Sequence, residues 1–435
     1  GGAVNNSGAL FVQQSNSTFR RSSADTWAKD ATYEDLGSCF FDADGDGDAD
    51  LYVVSGGSFY DAGSLNYQDR LYLNDGQGNF TKATGALPKI TSSGSCAVPF
   101  DYDGDGDPDV FVGGLVQPGH YPAAPLSLLL QNNGGKFTDV CPKAAPELHE
   151  IGMVNDLAWA DLDGDKVAEL VVLGEWLPVT IFKNKNGRFE NVTASFGLEN
   201  TTGWWNCVTT ADMDGDGDLD LIAGNLGLNS RLQASPTEPL TLFAKDFDGN
   251  GSIDPVLAFY NHGKLFPVAQ RDLLIRQIPP MKQKFVRFKS YGQATIEDVF
   301  SKSELKGATK FGAKTFATTY FENQNGRFVA HALPAQAQMA PVNRIAADDY
   351  NGDGLTDLLM VGNSYSPEVE TGRYDAGNGT LLTGDGHGGF SFVPNVESGF
   401  WATKEARDLA VLKLANGKSL LLVANSNDVL QAYVK

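Results

Sequence analysis

The chain reads as all-β, a β-propeller of seven four-stranded blades, with six as the alternative count. Three observations predict it. A nine-residue acidic loop recurs six times, and each copy is followed by a short apolar run. A second hairpin signature follows the first at a steady distance: an apolar strand, a polar turn with Gly, then an aromatic residue. The two ends of the 435-residue chain carry complementary halves of that unit. Radial repetition of four-stranded sheets buries the faces of such repeats and removes exposed edges.

The loops run from Asp42 to Asp50, Asp101 to Asp109, Asp161 to Glu169, Asp212 to Asp220, Asp246 to Asp254 and Asp349 to Asp357. Positions 1, 3, 5 and 9 carry oxygen side chains throughout. They are Asp42, Asp44, Asp46 and Asp50 in the first loop, and Asp101, Asp103, Asp105 and Asp109 in the second. The third has Asp161, Asp163, Asp165 and Glu169, and the fourth Asp212, Asp214, Asp216 and Asp220. The fifth has Asp246, Asp248, Asn250 and Asp254, and the sixth Asp349, Asn351, Asp353 and Asp357. Position 4 is always Gly, where a tight turn needs a residue without Cβ. Position 7 varies (Asp48, Asp107, Val167, Asp218, Ser252, Leu355), as expected of a ligand that offers only its backbone carbonyl. Carboxylates crowded this closely repel without a cation, and oxygen-only donors suit Ca²⁺. About five or six Ca²⁺ ions are expected on that count. A solvated acidic turn accounts for one such loop but not for the whole set. An EF-hand is excluded, because position 12 is Val53, Val112, Val172, Ala223, Leu257 or Met360 rather than a bidentate Glu. The apolar runs after position 9, such as Leu51 to Val54 and Leu170 to Leu173, read as buried strands. Each loop is therefore a strand–loop–strand hairpin.

The second hairpins include Leu71 to Phe80, Leu128 to Phe137, Ile181 to Phe189, Tyr320 to Phe328 and Leu381 to Phe390. Asn-Gly and Gly-Gly turns between apolar runs are strong hairpin signals. Loop starts at 42, 101 and 161 give a unit of about 60 residues. Residues 9–20 form a second-type hairpin and residues 407–434 a first-type one, so pairing them in one blade would close the ring. Seven blades result if Asp246 opens one; yet it follows Asp212 by only 34 residues, which matches the distance from first to second hairpin. The chain is read as one propeller domain, residues 1–435, with a partly helical basic insertion at about 261–315. That segment carries 11 Lys/Arg against 4 Asp/Glu. It is read as a cap on the acidic ring, with a docking site as the alternative.

The net charge of −21 is concentrated in the loops, and bound Ca²⁺ would offset much of it. Nucleic acid is an unsuitable partner for such a body. No run of 18 apolar residues is present to span a membrane. Cys39, Cys96, Cys141 and Cys207 are too few for a disulfide scaffold and read as small buried strand residues. Weak oxygen sites fill at the millimolar Ca²⁺ found outside cells, which points to an extracellular or cell-surface setting. The chain starts at Gly1 without Met, so it reads as a mature form or a fragment, which leaves room for a signal ahead of it.

Loops such as Phe100-Asp-Tyr-Asp-Gly-Asp-Gly-Asp-Pro-Asp-Val-Phe-Val-Gly-Gly114, together with hairpins such as Leu71 to Phe80, resemble FG-GAP/VCBS repeats. Integrin α propellers carry related loops. Gly203-Trp-Trp-Asn206, Gly224 to Arg231 and Glu368 to Asp375 resemble the cartilage-acidic-protein-like, ASPIC/UnbV-associated surface proteins of Bacteroidota. The resemblance implies a calcium-bound propeller within a longer surface or outer-membrane protein.

On the face opposite the acidic loops the connections are long and aromatic. Tyr60, Tyr121, Trp176, Trp204, Trp205, Arg231, Tyr365, Glu370, Arg373, Tyr374 and Trp401 are the candidate contacts with a protein or glycan partner. The competing reading for each is packing between blades. The function expected is a non-enzymatic, calcium-stabilised binding module. A polysaccharide lyase or hydrolase using Tyr365, Glu368, Glu370, Arg373 and Tyr374 is the first alternative, and a purely structural domain the second. No nucleophile motif is visible and the five His show no ligand spacing, so no catalytic residue is assigned.

Overall fold

The computed structural model describes residues 2–22, 25–368 and 370–435. Antiparallel four-stranded sheets follow one another along the chain. The first consists of Asp35–Phe41, Asp50–Ser55, Arg70–Asn74 and Phe80–Lys82, in that order. The second is Ser93–Phe100, Asp109–Val116, Leu128–Asn133 and Lys136–Asp139. The third is Met153–Ala160, Glu169–Glu175, Thr180–Lys185 and Arg188–Asn191. The fourth is Cys207–Ala211, Asp220–Gly224, Thr319–Asn323 and Phe328–Ala332, and the fifth Val342–Asp348, Asp357–Gly362, Thr380–Gly384 and Phe390–Val393. A sixth sheet has three strands, Ala406–Lys413, Ser419–Asn425 and Gln431–Val434.

The acidic loops join first to second strands as expected, in a common register. Phe41 faces Asp50, Phe100 faces Asp109, Ala160 faces Glu169 and Asp348 faces Asp357. The second strands are buried along their length, which explains their uninterrupted apolar runs. Successive sheets pack face to face. Tyr52 and Val54 of the first meet Val110 and Leu130 of the second, and Phe111 meets Val154 and Phe182 of the third. Val171 meets Leu221 and Phe321 of the fourth, Ile222 meets Leu358 and Met360 of the fifth, and Leu359 meets Leu421 and Val423 of the sixth. Cys39, Cys96, Cys141 and Cys207 are free thiols; Cys96 and Cys207 are buried strand residues as expected, whereas Cys39 is half-buried and Cys141 opens a short helix, Cys141–Ala144.

First strands carry β-bulges near their starts, between Val154 and Asp156, Val342 and Arg344, and Ala406 and Asp408. The backbone there crosses the end of the second strand closely. A Cβ on Gly174 would lie 1.8 Å from the Met153 carbonyl, and one on Gly362 1.7 Å from that of Pro341, so only glycine fits.

The Asp246 loop does not open a further sheet in the series. Its strands, Leu240–Lys245 and Asp254–Asn261, pair with Thr309–Ala313 and Lys264–Pro267 in a sheet nested between the second and third strands of the fourth, which pair with each other through Ile222 and Tyr320. The basic segment expected at 261–315 is thus the later part of a larger nested unit. Its short helices, including Arg271–Gln277 and Ile296–Val299, bury Leu274, Ile278, Met281, Ile296 and Phe300 against Val256 and Ala258 of that sheet.

The expected pairing of the two termini in one blade is not found. Phe11–Gln13 and Phe19–Arg21 pair with each other, and the sixth sheet takes its third strand from Gln431–Val434. The physical reason is a tight reversal after Asn425. Asn427 adopts φ 53°, and Asn425 Nδ2 donates to the Val429 carbonyl at 2.8 Å, so the chain returns onto its own strand. The ends still meet: Gln13 Nε2 donates to the Lys413 carbonyl at 3.1 Å and Gln13 Oε1 accepts from the Ala415 amide at 2.9 Å. Leu10 and Trp27 cover Leu51, Val53 and Tyr72 on the remaining face of the first sheet.

Asp69 is buried in that sheet, accepting from Tyr52 OH at 2.6 Å and from the Ser55 amide at 2.8 Å. Burial pushes its carboxyl up to about 7, against the opposite pull of these donors and Arg70. A carboxyl raised from 3.8 in the folded chain favours folding fully below that value, and this contribution is lost as pH rises toward 7. Asp69→Asn is therefore expected to gain stability relative to the parent as pH rises from about 4 to about 7. Urea denaturation across that range checks it; a difference that does not change with pH would show that Asp69 ionises normally.

Candidate functional site

Each acidic loop is organised by its own carboxylates before any ion is considered. In the first loop Asp42 accepts from the Gly45 amide at 2.8 Å and the Gly47 amide at 3.0 Å, and Asp46 accepts from the Asp48 amide at 3.0 Å. The second, fourth, fifth and sixth loops repeat this pattern around Asp101, Asp212, Asp246 and Asp349. Position 6 matters as much as position 4. Gly47, Gly106, Gly217, Gly251 and Gly354 have φ between 87° and 96°, a requirement that the sequence reading attached only to position 4. The signal was visible, since Gly recurs there in all loops but the third.

Position 9 lies at the base and is buried. Asp50 accepts from the Ala43 amide at 2.8 Å and from the Asn74 amide of the third strand at 2.8 Å. Asp109, Asp220 and Asp357 do the same with Asn132, Asn323 and Gly384. Burial raises these carboxyls, Asp109 to about 7 and Asp220 to about 6. Neighbouring loop carboxylates push in the same direction, because a nearby like charge disfavours ionisation.

Carboxylate oxygens of positions 1, 3 and 9 lie within 4.8 Å of one another in five loops: Asp42, Asp44 and Asp50; Asp101, Asp103 and Asp109; Asp161, Asp163 and Glu169; Asp212, Asp214 and Asp220; Asp246, Asp248 and Asp254. Such a separation allows one cation to touch all three. Asp44 Oδ1 in the first loop, and Asp161 Oδ1 and Glu169 Oε1 in the third, are buried with no hydrogen-bond partner. The first, second, fourth and fifth loops therefore fit a hard cation. The sixth carries Asn351 at position 3, whose amide donates to Asp353 at 2.8 Å. The third departs most: Lys183 Nζ ion-pairs with Asp163, with Asp165 at 2.7 Å and with Glu169 at 3.0 Å.

The candidate contacts on the opposite face do not form one surface. Trp205 is fully buried against Phe321, with Nε1 donating to the Thr201 carbonyl at 2.9 Å, so it is a core residue. Trp176 is also buried. Its Nε1 donates to Tyr121 OH at 2.8 Å, which in turn donates to Glu175 at 2.6 Å. Tyr60 stacks edge-on with Phe59 and Tyr67 and donates to the Thr32 carbonyl at 2.8 Å. Arg373 lies over the Tyr365 ring at 4.9 Å, and Arg231 meets Thr371 at 3.0 Å and Glu368 at 3.8 Å. Glu370 is exposed, and Trp401, 44% exposed, sits on the sixth sheet where its carbonyl accepts from Gln431. Of the five offered for catalysis, Arg373 thus pairs with Tyr365, while Glu368 turns to Arg231 and Tyr374 to Ser230.

Trp204 and Tyr374 do converge, on a cavity of about 300 Å³ also lined by Asn155, Glu175, Asn206, Asn343 and Arg407. These five were missed. Asn155, Asn343 and Arg407 are the extra residues of the three bulges, whose role is to re-aim a side chain out of the ladder. Asn155 donates to the Trp205 carbonyl at 2.7 Å and Asn206 to that of Val342 at 3.2 Å. Asn343 donates to the Ala406 carbonyl at 2.8 Å, so each asparagine ties its sheet to the next. Burial raises the Glu175 carboxyl, and Tyr121 and Trp176 oppose the shift. Beside the cavity Arg344 bridges Asp156 at 3.2 Å and Asp408 at 2.9 Å, joining the third, fifth and sixth sheets.

Comparison with known proteins follows the same loops. The FG-GAP-like repeat family matches residues 54–112 and 161–223, and the FG-GAP repeat family matches residues 342–382. No curated protein matches. Among solved structures, a Bacillus licheniformis rhamnogalacturonan lyase aligns over 92% of this chain and 72% of its own at 11% identity and a TM-score of 0.32. The V. cholerae biofilm matrix protein Bap1 aligns over 69% of this chain and 39% of its own at 16% identity and a TM-score of 0.26. No helix among the described residues is long and apolar enough to cross a membrane. Three segments of this chain, each carrying at least one acidic loop, are thus similar to FG-GAP repeats.

Proposed function

We propose that the chain is a calcium-stabilised binding module, displayed outside the cell, that grips a protein or glycan partner on the face opposite its acidic loops. The observation that carries this reading is the cavity between Trp204, Tyr374 and Arg407, at the ends of the strands remote from the loops. It offers an aromatic face, amides and an ionic group, the equipment that recognises hydroxylated or polar partners. The three segments that resemble the cartilage-acidic-protein-like surface proteins contribute Trp204 and Asn206, Leu226, and Tyr374 to it. FG-GAP repeats support an interaction role and Ca²⁺ as the ion. In this reading six sheets are the blades, the nested unit is an appendage, and the N-terminal hairpin bridges the sixth blade to the first.

A polysaccharide-acting enzyme is the second reading, favoured by Glu175. Its carboxyl lines the same cavity and is raised by burial, the direction a general acid requires, although the Tyr121 hydroxyl that donates to it pulls the other way. Screening the chain in Ca²⁺ against a glycan array and a native cell-envelope extract separates the two. We expect a retained ligand whose affinity falls about tenfold or more in Trp204→Ala and Arg407→Ala. Unchanged binding in both would remove the cavity from the reading, and new reducing or unsaturated chain ends after incubation would replace binding with catalysis.

Calcium makes its own prediction. An ion that binds only the folded chain stabilises it by about 2.7 kcal/mol per site at a hundredfold excess over Kd. Chelation is expected to lower the melting temperature substantially, read by scanning calorimetry with metal removal verified by elemental analysis. A melting curve that does not move would show that the loops stand without metal.

A further inference from the structure

We propose that the third acidic loop carries its own cation, the Lys183 ammonium, and binds no Ca²⁺ under conditions that fill the neighbouring loops. The inference rests on the reading of those loops as Ca²⁺ sites. Lys183 Nζ meets Asp163, Asp165 and Glu169, the carboxylates of positions 3, 5 and 9, and two of these belong to the trio with Asp161 that could hold an ion.

The lysine is delivered by the fold. It lies on the third strand, Thr180–Lys185, immediately before Asn184, and the corresponding residues before Asn74, Asn132 and Asn323 are Leu73, Gln131 and Glu322. None of these is cationic. The loop itself has adapted around the change. In the first, second and fourth loops one oxygen of the position-9 carboxylate accepts the amide of that strand asparagine. In the third, position 9 is the longer Glu169, whose Oε2 accepts from the Leu162 amide at 2.9 Å while Oε1 turns to Lys183 at 3.0 Å. Position 6 is Lys166, held at φ 72° where the other loops use Gly. The carboxylate cluster thus already holds a counter-charge in the ion pairs to Lys183, and a divalent ion would have to expel a like charge to enter.

Ions bound per folded chain, counted by equilibrium dialysis in Ca²⁺ with elemental analysis, test this. The double variant Asp101→Asn/Asp103→Asn in the second loop should lose one ion. The matched Asp161→Asn/Asp163→Asn in the third should lose none, and Lys183→Leu, which copies Leu73 of the first sheet, should gain one. Loss of an ion from the third-loop variant overturns the proposal, as does no gain in folded Lys183→Leu. If Lys183→Leu fails to fold, the third-loop variant decides alone. If the second-loop variant loses nothing, the Ca²⁺ reading fails, and the proposal falls with its premise.

Discussion

The buried carboxylate at position 9 is the group on which the rest of the structure depends. Asp50 makes two demands at once, one on the amide of Ala43 inside the loop and one on the amide of Asn74 across the sheet. The first closes the acidic turn and the second fixes the third strand against it. Asn74 and its counterparts then carry the tie further: Asn132 Nδ2 reaches the Ala43 carbonyl in the previous loop at 2.8 Å, and Asn323 Nδ2 reaches that of Leu162 at 2.9 Å. A charge at the base of one loop therefore sets the spacing of the next sheet. Such a group is costly to bury unless its lone pairs are used, and here they are.

The two faces of the molecule obey different rules. On the loop side, the ligand pattern is local: oxygen side chains and left-handed turns repeat within nine residues, and each copy is complete in itself. On the other side, nothing is local. Asn155, Asn343 and Arg407 come from three sheets, turned out of the ladder by first-strand bulges, and Asn206 joins them from just before the first strand of the fourth, while glycines let the backbones cross. Asparagine serves there both as the clamp between sheets and as part of the cavity wall. Arg344, held between Asp156 and Asp408, provides the matching ionic clamp.

Lys183 shows how a repeat can diverge without losing its shape. The third loop keeps its turn and its hairpin, yet its central charge is supplied by a side chain from a neighbouring strand. The nested sheet around Asp246 is a different kind of divergence. It keeps the loop and the hairpin but leaves the series, because the chain returns from it to complete the fourth sheet.

What the amino-acid sequence determined by itself was whatever is written at short range. The loops, their hairpins, the common register and the buried second strands follow from ligand spacing and apolar runs, and all were legible. Short-range pattern could not tell that Asp246 opens a nested sheet, because a loop has the same sequence whether its hairpin joins the series or leaves it. Nor could it foresee that Gln431–Val434 would fold back onto Ser419–Asn425, since strand pairing is decided by competition between edges. Aromatic residues were marked as a binding face on exposure inferred from loops, but burial is a tertiary property: Trp205 and Trp176 went to the core, while inconspicuous asparagines reached the cavity. Only the packed structure decided which side chains meet, because bulges and close backbone crossings bring together residues that no sequence period connects.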